Sequence, residues 1–337
     1  MFTIESFCNH VWEASYTKVL RRITKEDYQT FDIPKKNGIR KIHYLSQESE
    51  LDSLQLSLNS YLQRIPLPTC VKGFKKGANY NDYLSEHIGA KFFMRTDIKN
   101  FFSSICEDSI KQELSHFVPI NDKDEKAKVV DLICDIVSFN GSLPQGARTS
   151  PSISNIVMIR IDQRITKYCQ LFGIRYTRYA DDMLFSSSEF NFEEKKWFIK
   201  KIKYILSTLT LRLNYDKLKF GHGEMILNGY IISEDGIRLS RSRLSDIRHV
   251  TTAVNQSYSI IKSEGDEKFL NKINSLTLKH RDLKSFPFSS IFQLIQYLVG
   301  YRSYLISMFD PYAVSHFQSE LQRLIRRIEK QITNLSN

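Results

Sequence analysis

Asp181 and Asp182 are adjacent in Tyr179-Ala180-Asp181-Asp182, between two strand-like stretches, IRYTRY and MLFSS. Two neighbouring carboxylates at a tight turn repel one another, and a partly buried pair of this kind asks for a neutralising cation. Asp-Asp also occurs in ordinary solvated turns, so the pair by itself does not decide. Asp97 adds the deciding information, because it ends a second apolar strand, KFFMRTDI over residues 91–98. Strand-end aspartates drawn from two strands suit two-metal phosphoryl transfer, in which two Mg²⁺ ions about 3.5–4 Å apart clamp the attacking and leaving oxygens. Carboxylate oxygens are the hard ligands Mg²⁺ prefers, with substrate phosphates completing its shell. No His/Cys cluster offers a competing zinc chemistry.

The elements that must position these residues can be read from periodicity. Helical spacing runs over 10–23 and over Leu51–Ile65, the latter ending before Pro66. Lys35-Lys36-Asn37-Gly38 is a turn signal between alternating stretches and predicts a β-hairpin with a basic tip. A helical region covers 107–139. Ser150-Pro151 is expected to cap and open a helix reaching Tyr168. A helix over 193–209 and short strands near 218–220, 225–232 and 237–239 come next. From Ser240 the pattern is helical only, with Leu244, Ile247, Val250, Val254, Tyr258 and Ile261 forming one apolar stripe. The division expected is an N-terminal helical segment over 1–30, a mixed α and β catalytic region over 31–238 and a helical region over 239–337.

The 337 residues leave ample material for a core, and the net charge of +11 favours a polyanionic partner. The excess is concentrated late: from Gly236 onward there are 15 Lys and Arg against 8 Asp and Glu. The five cysteines show no C-x-x-C spacing, which fits reduced thiols in the cytoplasm. The N-terminus lacks the apolar run of a secretion signal, and no stretch is long and apolar enough for a membrane span.

The order of motifs resembles the reverse transcriptase family, and within it the bacterial retron type. The resemblance spans roughly residues 31–320. PKKNGIRKIHYLS, VKGFKKGAN, FMRTDIKNFFSSI, SLPQGARTSPSISNIVMIRID, RYADDMLFS, LNYDKLKF, ILNGYIIS and VGYRSYLISMFDP fall in the family's order. It implies an α+β right-hand polymerase: fingers and a palm built on an antiparallel sheet flanked by helices, then an all-α thumb. Asp97 and Asp181 would hold two Mg²⁺ ions (Mn²⁺ being a substitute) with help from the Ile98 carbonyl, and Asp182 would support them. Arg40, with Lys36 or Lys41, would hold the incoming dNTP's triphosphate. Phe102 would be the steric gate that rejects a 2′-hydroxyl, although a core Phe is an equally ordinary reading. Gln145 and Gly146 would underlie the nascent base pair, and Tyr179 would face the primer end. Arg241, Arg243, Gly300 and Tyr304 would grip primer and template, as Arg248, Arg323, Arg326, Arg327 and Lys330 could.

Two stretches differ from the retron pattern. Tyr83-Leu84-Ser85-Glu86-His87 stands where N-A-x-x-H is usual, with His87 read as a structural histidine at a helix end. Leu227-Asn228-Gly229 stands in place of V-T-G. The implied function is copying of a structured noncoding RNA into short DNA, primed from a 2′-hydroxyl, in antiphage defence. The chain is expected to act as a stand-alone enzyme whose RNA and effector protein are encoded separately. The competing readings are another defence-associated or abortive-infection polymerase, template-independent or protein-primed; an RNA-dependent RNA polymerase, against which Phe102 counts; and an inactive RNA-binding scaffold, against which the three aspartates count.

Overall fold

The computed structural model describes residues 3–35, 38–277, 287–309 and 316–336. Lys36 at the hairpin tip, and Asp310 and Pro311 at the end of the thumb-like segment, lie outside them. The chain divides into two compact units, one of Met1–Met225 with Ser233–Gly236, the other of Ile226–Ile232 with Ile237–Asn337.

The first unit begins with α1 (Ile4–Trp12) and α2 (Tyr16–Arg21), where helical spacing suggests one continuous helix. Glu13 takes a left-handed conformation (φ 52°), which ends α1 before a new start after Ser15. These helices share a core with the rest of the unit: Phe7 and Cys8 are fully buried, and the Trp12 indole donates to the Leu54 carbonyl at 3.0 Å. Strands β1 (Tyr28–Lys35) and β2 (Gly38–Leu45) form the expected hairpin, in register from Tyr28↔Leu45 to Lys35↔Gly38. After the hairpin the chain forms α3 (Glu50–Leu62), α4 (Tyr80–Ser85), β3 (Phe92–Ile98), α5 (Phe101–Ser104), α6 (Glu107–Leu114) and α7 (Lys123–Val137). The region 107–139 is thus two helices, parted by Pro119 and restarted by Asp122, whose side chain caps the Glu125 N–H at 2.9 Å. Next come α8 (Ser150–Gln170), β4 (Arg175–Tyr179), β5 (Asp182–Ser187), α9 (Lys196–Ser207) and β6 (Leu213–His222).

β4, β5, β3 and β6 make one antiparallel sheet in the order β4-β5-β3-β6, with β3 between β5 and β6. Strand side chains alternate between faces. Tyr176, Met183 and Phe185 point toward α8 and α9, where the Phe185 ring meets Phe198 at 5.6 Å; Met183, Phe185 and Phe198 are fully buried. Each such ring contributes roughly 1.5–3 kcal/mol of burial. The opposite face carries Arg95, Asp97, Thr177, Tyr179, Asp182 and Ser186. The helix-flanked antiparallel sheet expected from the motifs is therefore present.

The strands β7 (Glu224–Leu227), β8 (Tyr230–Ser233) and β9 (Gly236–Leu239) form a small sheet in that order. Residues 225–232 are thus two strands, reversed at Asn228 (φ 49°) and Gly229 (φ 90°), an Asn-Gly pair suited to a tight hairpin. The second unit continues with α10 (Arg241–Glu264), α11 (Asp266–Thr277), α12 (Ile291–Ile306) and α13 (His316–Ser336). Leu244, Ile247, Val250 and Val254 of the α10 stripe are buried against Leu321, Leu324 and Ile328 of α13 in a core separate from that of the first unit. Residues 226–232 group with these helices, so this unit begins before residue 239 and includes strand as well as helix.

Candidate active site

β3 and β5 pair so that Asp97 lies directly opposite Asp182. Asp181 sits in the turn between β4 and β5, and its carbonyl accepts the Ile98 N–H at 3.1 Å. The tight β4–β5 hairpin and the long-range pairing of β5 with β3 thus bring all three aspartates to one end of the sheet. Asp97 is only 2% exposed. Its Oδ2 is ion-paired with Lys217, and its Oδ1 is buried with no hydrogen-bond partner. Arg95, two residues before Asp97 and on the same face, holds Asp182 through both carboxylate oxygens at 2.9 Å. Burial pushes the carboxyls of Asp181 and Asp182 above the usual range; for Asp181 the neighbouring Asp182 and Asp97 add to it, and for Asp182 the Arg95 guanidinium opposes it.

Among the described residues no three His, Cys, Asp or Glu side chains form a ready-made metal cage. Mg²⁺ is commonly held by one or two carboxylates and completed by water and substrate phosphates. The unpartnered buried Oδ1 of Asp97 and the raised carboxyl of Asp181 are the donors that fit such an ion best. The charges of Lys217 and Arg95 partly offset the carboxylates.

The turn is fixed from beneath by residues whose role the motifs did not reveal. Arg178 is fully buried and donates to Asp162 of α8 through Nε (3.0 Å) and Nη2 (2.7 Å), and to the Ala180 carbonyl through Nη1 at 2.9 Å. The Tyr176 hydroxyl also donates to Asp162, at 2.8 Å. Removing one partner of a buried pair leaves the other charge uncompensated. Asp162→Ala is therefore expected to lose about 3–5 kcal/mol in urea unfolding, with loss of activity from a loosened turn.

At the open edge of the sheet, residues 70–73 pair with β4: the Arg178 N–H donates to the Cys70 carbonyl and the Lys72 N–H to the Arg178 carbonyl, both at 2.8 Å. Gly73 packs so closely that an added Cβ would lie 2.4 Å from the Ala180 nitrogen. The buried Asn155 amide donates to the Gly73 carbonyl at 3.0 Å. A lone glycine in VKGF is the signal that could have disclosed this contact.

Tyr179 is half-buried against the rings of Tyr80 (5.1 Å) and Tyr83 (5.8 Å). Farther along the same face, His87 is fully buried between Ser186 and Thr177, each 2.7 Å from a ring nitrogen. Thr177 spends its proton on the Tyr83 carbonyl, so it accepts from Nε2–H, and Nδ1 accepts from Ser186. The imidazole is therefore neutral, with its pKa lowered to about 3 by burial and by Arg175 and Lys72. This is the structural role expected for it. The folded value lies below the unfolded 6.5, so His87 contributes stability that is complete above pH 6.5 and is lost as pH falls toward 3. Between pH 7.5 and 5 the protein should lose about 2 kcal/mol more than His87→Gln does in urea unfolding.

Phe102 lies in α5, half-buried, with its ring 5.5 Å from Phe101 and 6.2 Å from the exposed Phe74. The Gln145 carbonyl accepts the His43 N–H at 2.8 Å, and a Cβ on Gly146 would meet the His43 carbonyl at 2.6 Å and the Ile42 side chain at 2.8 Å. The hairpin is thereby seated on the Gln145-Gly146 loop. Alternation along β2 puts Arg40 on the Ile42 face and Lys41 on the other, both exposed. Ser150 does not cap α8: its hydroxyl donates to the Pro144 carbonyl at 2.6 Å and Thr149 holds the cap position.

In the second unit Arg241 is exposed in the first turn of α10. Arg243 lies over the rings of Tyr301 (5.8 Å) and Tyr304 (5.7 Å), and Tyr304 also meets Tyr230 at 5.8 Å. Burial foremost raises the Tyr304 hydroxyl. Gly300 is exposed on α12, with open space where a Cβ would stand. Arg327 donates to Thr251 and Thr252, both at 3.3 Å, and Arg248 pairs with Glu320. These two hold α10 to α13, whereas Arg323, Arg326 and Lys330 are exposed.

Residues 16–242 match the family model described as reverse transcriptase (RNA-dependent DNA polymerase). The chain is 25% identical over 228 residues to the retron Ec86 reverse transcriptase of Escherichia coli, covering 66% of this chain and 68% of that one. It is 27% identical over 176 residues to the retron Mx162 reverse transcriptase of Myxococcus xanthus, covering 48% of this chain and 36% of that one. It thus spans two thirds of one relative and little over a third of the other. Among solved structures, an apo telomerase from Candida tropicalis aligns with a TM-score of 0.49 at 12% identity, over 91% of this chain and 65% of that one.

Proposed function

Because the chain belongs to the reverse transcriptase family and resembles its retron enzymes, we propose that it is an RNA-directed DNA polymerase that copies a structured noncoding RNA into short DNA. The observation that carries this reading is the meeting of Asp97, Asp181 and Asp182 at one sheet end, with a buried Asp97 oxygen left without a partner. Asp97 and Asp181, with the Ile98 carbonyl, would hold two Mg²⁺ ions, or Mn²⁺ in their place. Bound there, the metals supply charge neutralisation of the phosphates and activation of the attacking hydroxyl. The Arg95 guanidinium opposes the burial that raises the Asp182 carboxyl beside them. Arg40, on the hairpin face seated over Gln145 and Gly146, takes the triphosphate of a dNTP; Lys41, on the opposite face, is the weaker candidate. Gln145 contacts the incoming nucleotide, and Tyr179 meets the primer end. Arg241, Arg243, Gly300 and Tyr304 contact the RNA–DNA product through its backbone and shape.

Phe102 makes the site deoxy-selective in this reading. Phe102→Ala should raise incorporation of ribonucleotides relative to deoxynucleotides about tenfold or more, read by competitive single-nucleotide extension; unchanged selectivity would return Phe102 to a packing role.

Synthesis begins from a 2′-hydroxyl of the partner RNA and serves antiphage defence, with a separately encoded effector. Support comes from the retron relatives. The test is to purify the protein from its host and sequence the nucleic acid bound to it. RNA joined 2′–5′ to short DNA is expected. DNA that stays attached to protein after ribonuclease treatment, or no bound nucleic acid, would overturn it.

A further inference from the structure

The sheet face turned away from the aspartates is covered by α8 and α9, and the outer seam of these antiparallel helices is built of rings and cations. Phe172 and Trp197 meet at 5.1 Å, and Tyr168 meets Phe172 at 5.3 Å. One turn on, the Lys201 ammonium stands 5.8 Å from the Tyr168 ring and 5.2 Å from the Tyr204 ring. At the far end Arg164 donates to the Thr208 hydroxyl at 3.0 Å. Packing does not explain the exposure of these rings: Trp197 is 43% exposed and Tyr204 59%. Lys167, Lys196, Lys200 and Lys203 are exposed around them. No Asp or Glu occurs between Asp162 and Asp181, nor between Glu194 and Asp216.

We propose that this seam binds an unpaired segment of RNA, outside the portion being copied. The proposal rests on an RNA partner for the polymerase but uses a different surface. The exposed lysines of these two helices outnumber Glu193 and Glu194, which precede α9, so the face attracts a polyanion. Duplexes are held through phosphates and shape and have no use for exposed rings, whereas unpaired bases stack on aromatic side chains while cations follow the backbone. From Arg164 to Gln170 the seam runs roughly 9 Å along α8, and Phe172 extends it past the helix end, to the length of about three stacked bases. Tyr204 and Trp197 supply the stacking platforms, and Lys200 and Lys201 the phosphate contacts.

The test pre-fills the copying cleft with an RNA–DNA hybrid and then titrates a labelled, unstructured uridine-rich RNA oligonucleotide, with ultraviolet crosslinking and peptide mapping of the complex. Crosslinks at Trp197 or Tyr204 are expected. Lys201→Glu/Tyr204→Ala should weaken oligonucleotide binding about tenfold and leave extension of a generic primer on an RNA template unchanged. Lys167→Glu/Lys200→Glu, which touches no ring, should lower the salt slope by at least about 0.7 per lysine. Equal affinity in both variants, equal affinity for a duplex of the same sequence, or a dimer that the variants dissociate would each overturn the proposal. Failure of the wild type to extend any primer would count against the polymerase reading instead, whatever the oligonucleotide does.

Discussion

Asp181→Asn is expected to abolish DNA synthesis while making the protein more stable. Burial and the adjoining Asp182 and Asp97 raise the Asp181 carboxyl, so its charged form is disfavoured in the folded state. A neutral amide of the same size relieves that repulsion. The expected gain is about 0.5–2 kcal/mol in urea unfolding, against a fall in primer extension of about 10³-fold or more. A second readout separates a ligand from a merely structural aspartate: Mg²⁺ should raise the wild-type melting temperature and have no such effect on Asp181→Asn. Asp97→Asn should lose activity equally, but without the stability gain, because Lys217 then loses its partner. Extension surviving in either variant would remove the metal assignment.

Gly73→Ala should be nearly as damaging, although Gly73 carries no functional group. Its Cβ would lie 2.4 Å from the Ala180 nitrogen and 2.9 Å from the Tyr179 carbonyl carbon, both backbone atoms of the catalytic turn. No side chain can rotate away, so either residues 70–73 lift off or the turn shifts. A displacement near 1 Å costs about 10²-fold in rate, and the overpacking about 1–3 kcal/mol in stability. The loss should fall on kcat more than on KM. Gly77→Ala is the control: Gly77 has a positive φ (77°), but open space surrounds it. It should lose about 1–2 kcal/mol, the cost of a left-handed backbone to a residue with a Cβ, and keep its turnover. Equal kinetics in the two variants would show that the close approach at Gly73 does not govern the site.

Much of the fold was legible in the chain because it is local. Strand alternation around Asp97 and around Asp181-Asp182 is written within a few residues, and so are the hairpin at Gly38 and the α10 stripe. Turn chemistry was misread where two signals overlapped. Ser150 before Pro151 resembles a cap, yet its hydroxyl serves Pro144. Asn228-Gly229 reverses the chain inside a run that alternates like one strand. The N-terminal segment looked separable because its helices are short and its core partners, Leu54 and Glu125, lie far along the chain. The supports of the catalytic turn were illegible for the same reason: Asp162 under Arg178, Asn155 on Gly73, and Lys217 beside Asp97 are partners no periodicity connects.

The docking of residues 70–73 on β4 also sets when the turn can form. Its three backbone hydrogen bonds join segments about a hundred residues apart, so they are expected late in folding, after the loop between them has closed. On the ribosome, the acidic turn cannot close until Arg178 has emerged. In the finished protein the Arg178 amide should therefore exchange its hydrogen only through opening of the whole first unit, among the slowest amides in the chain.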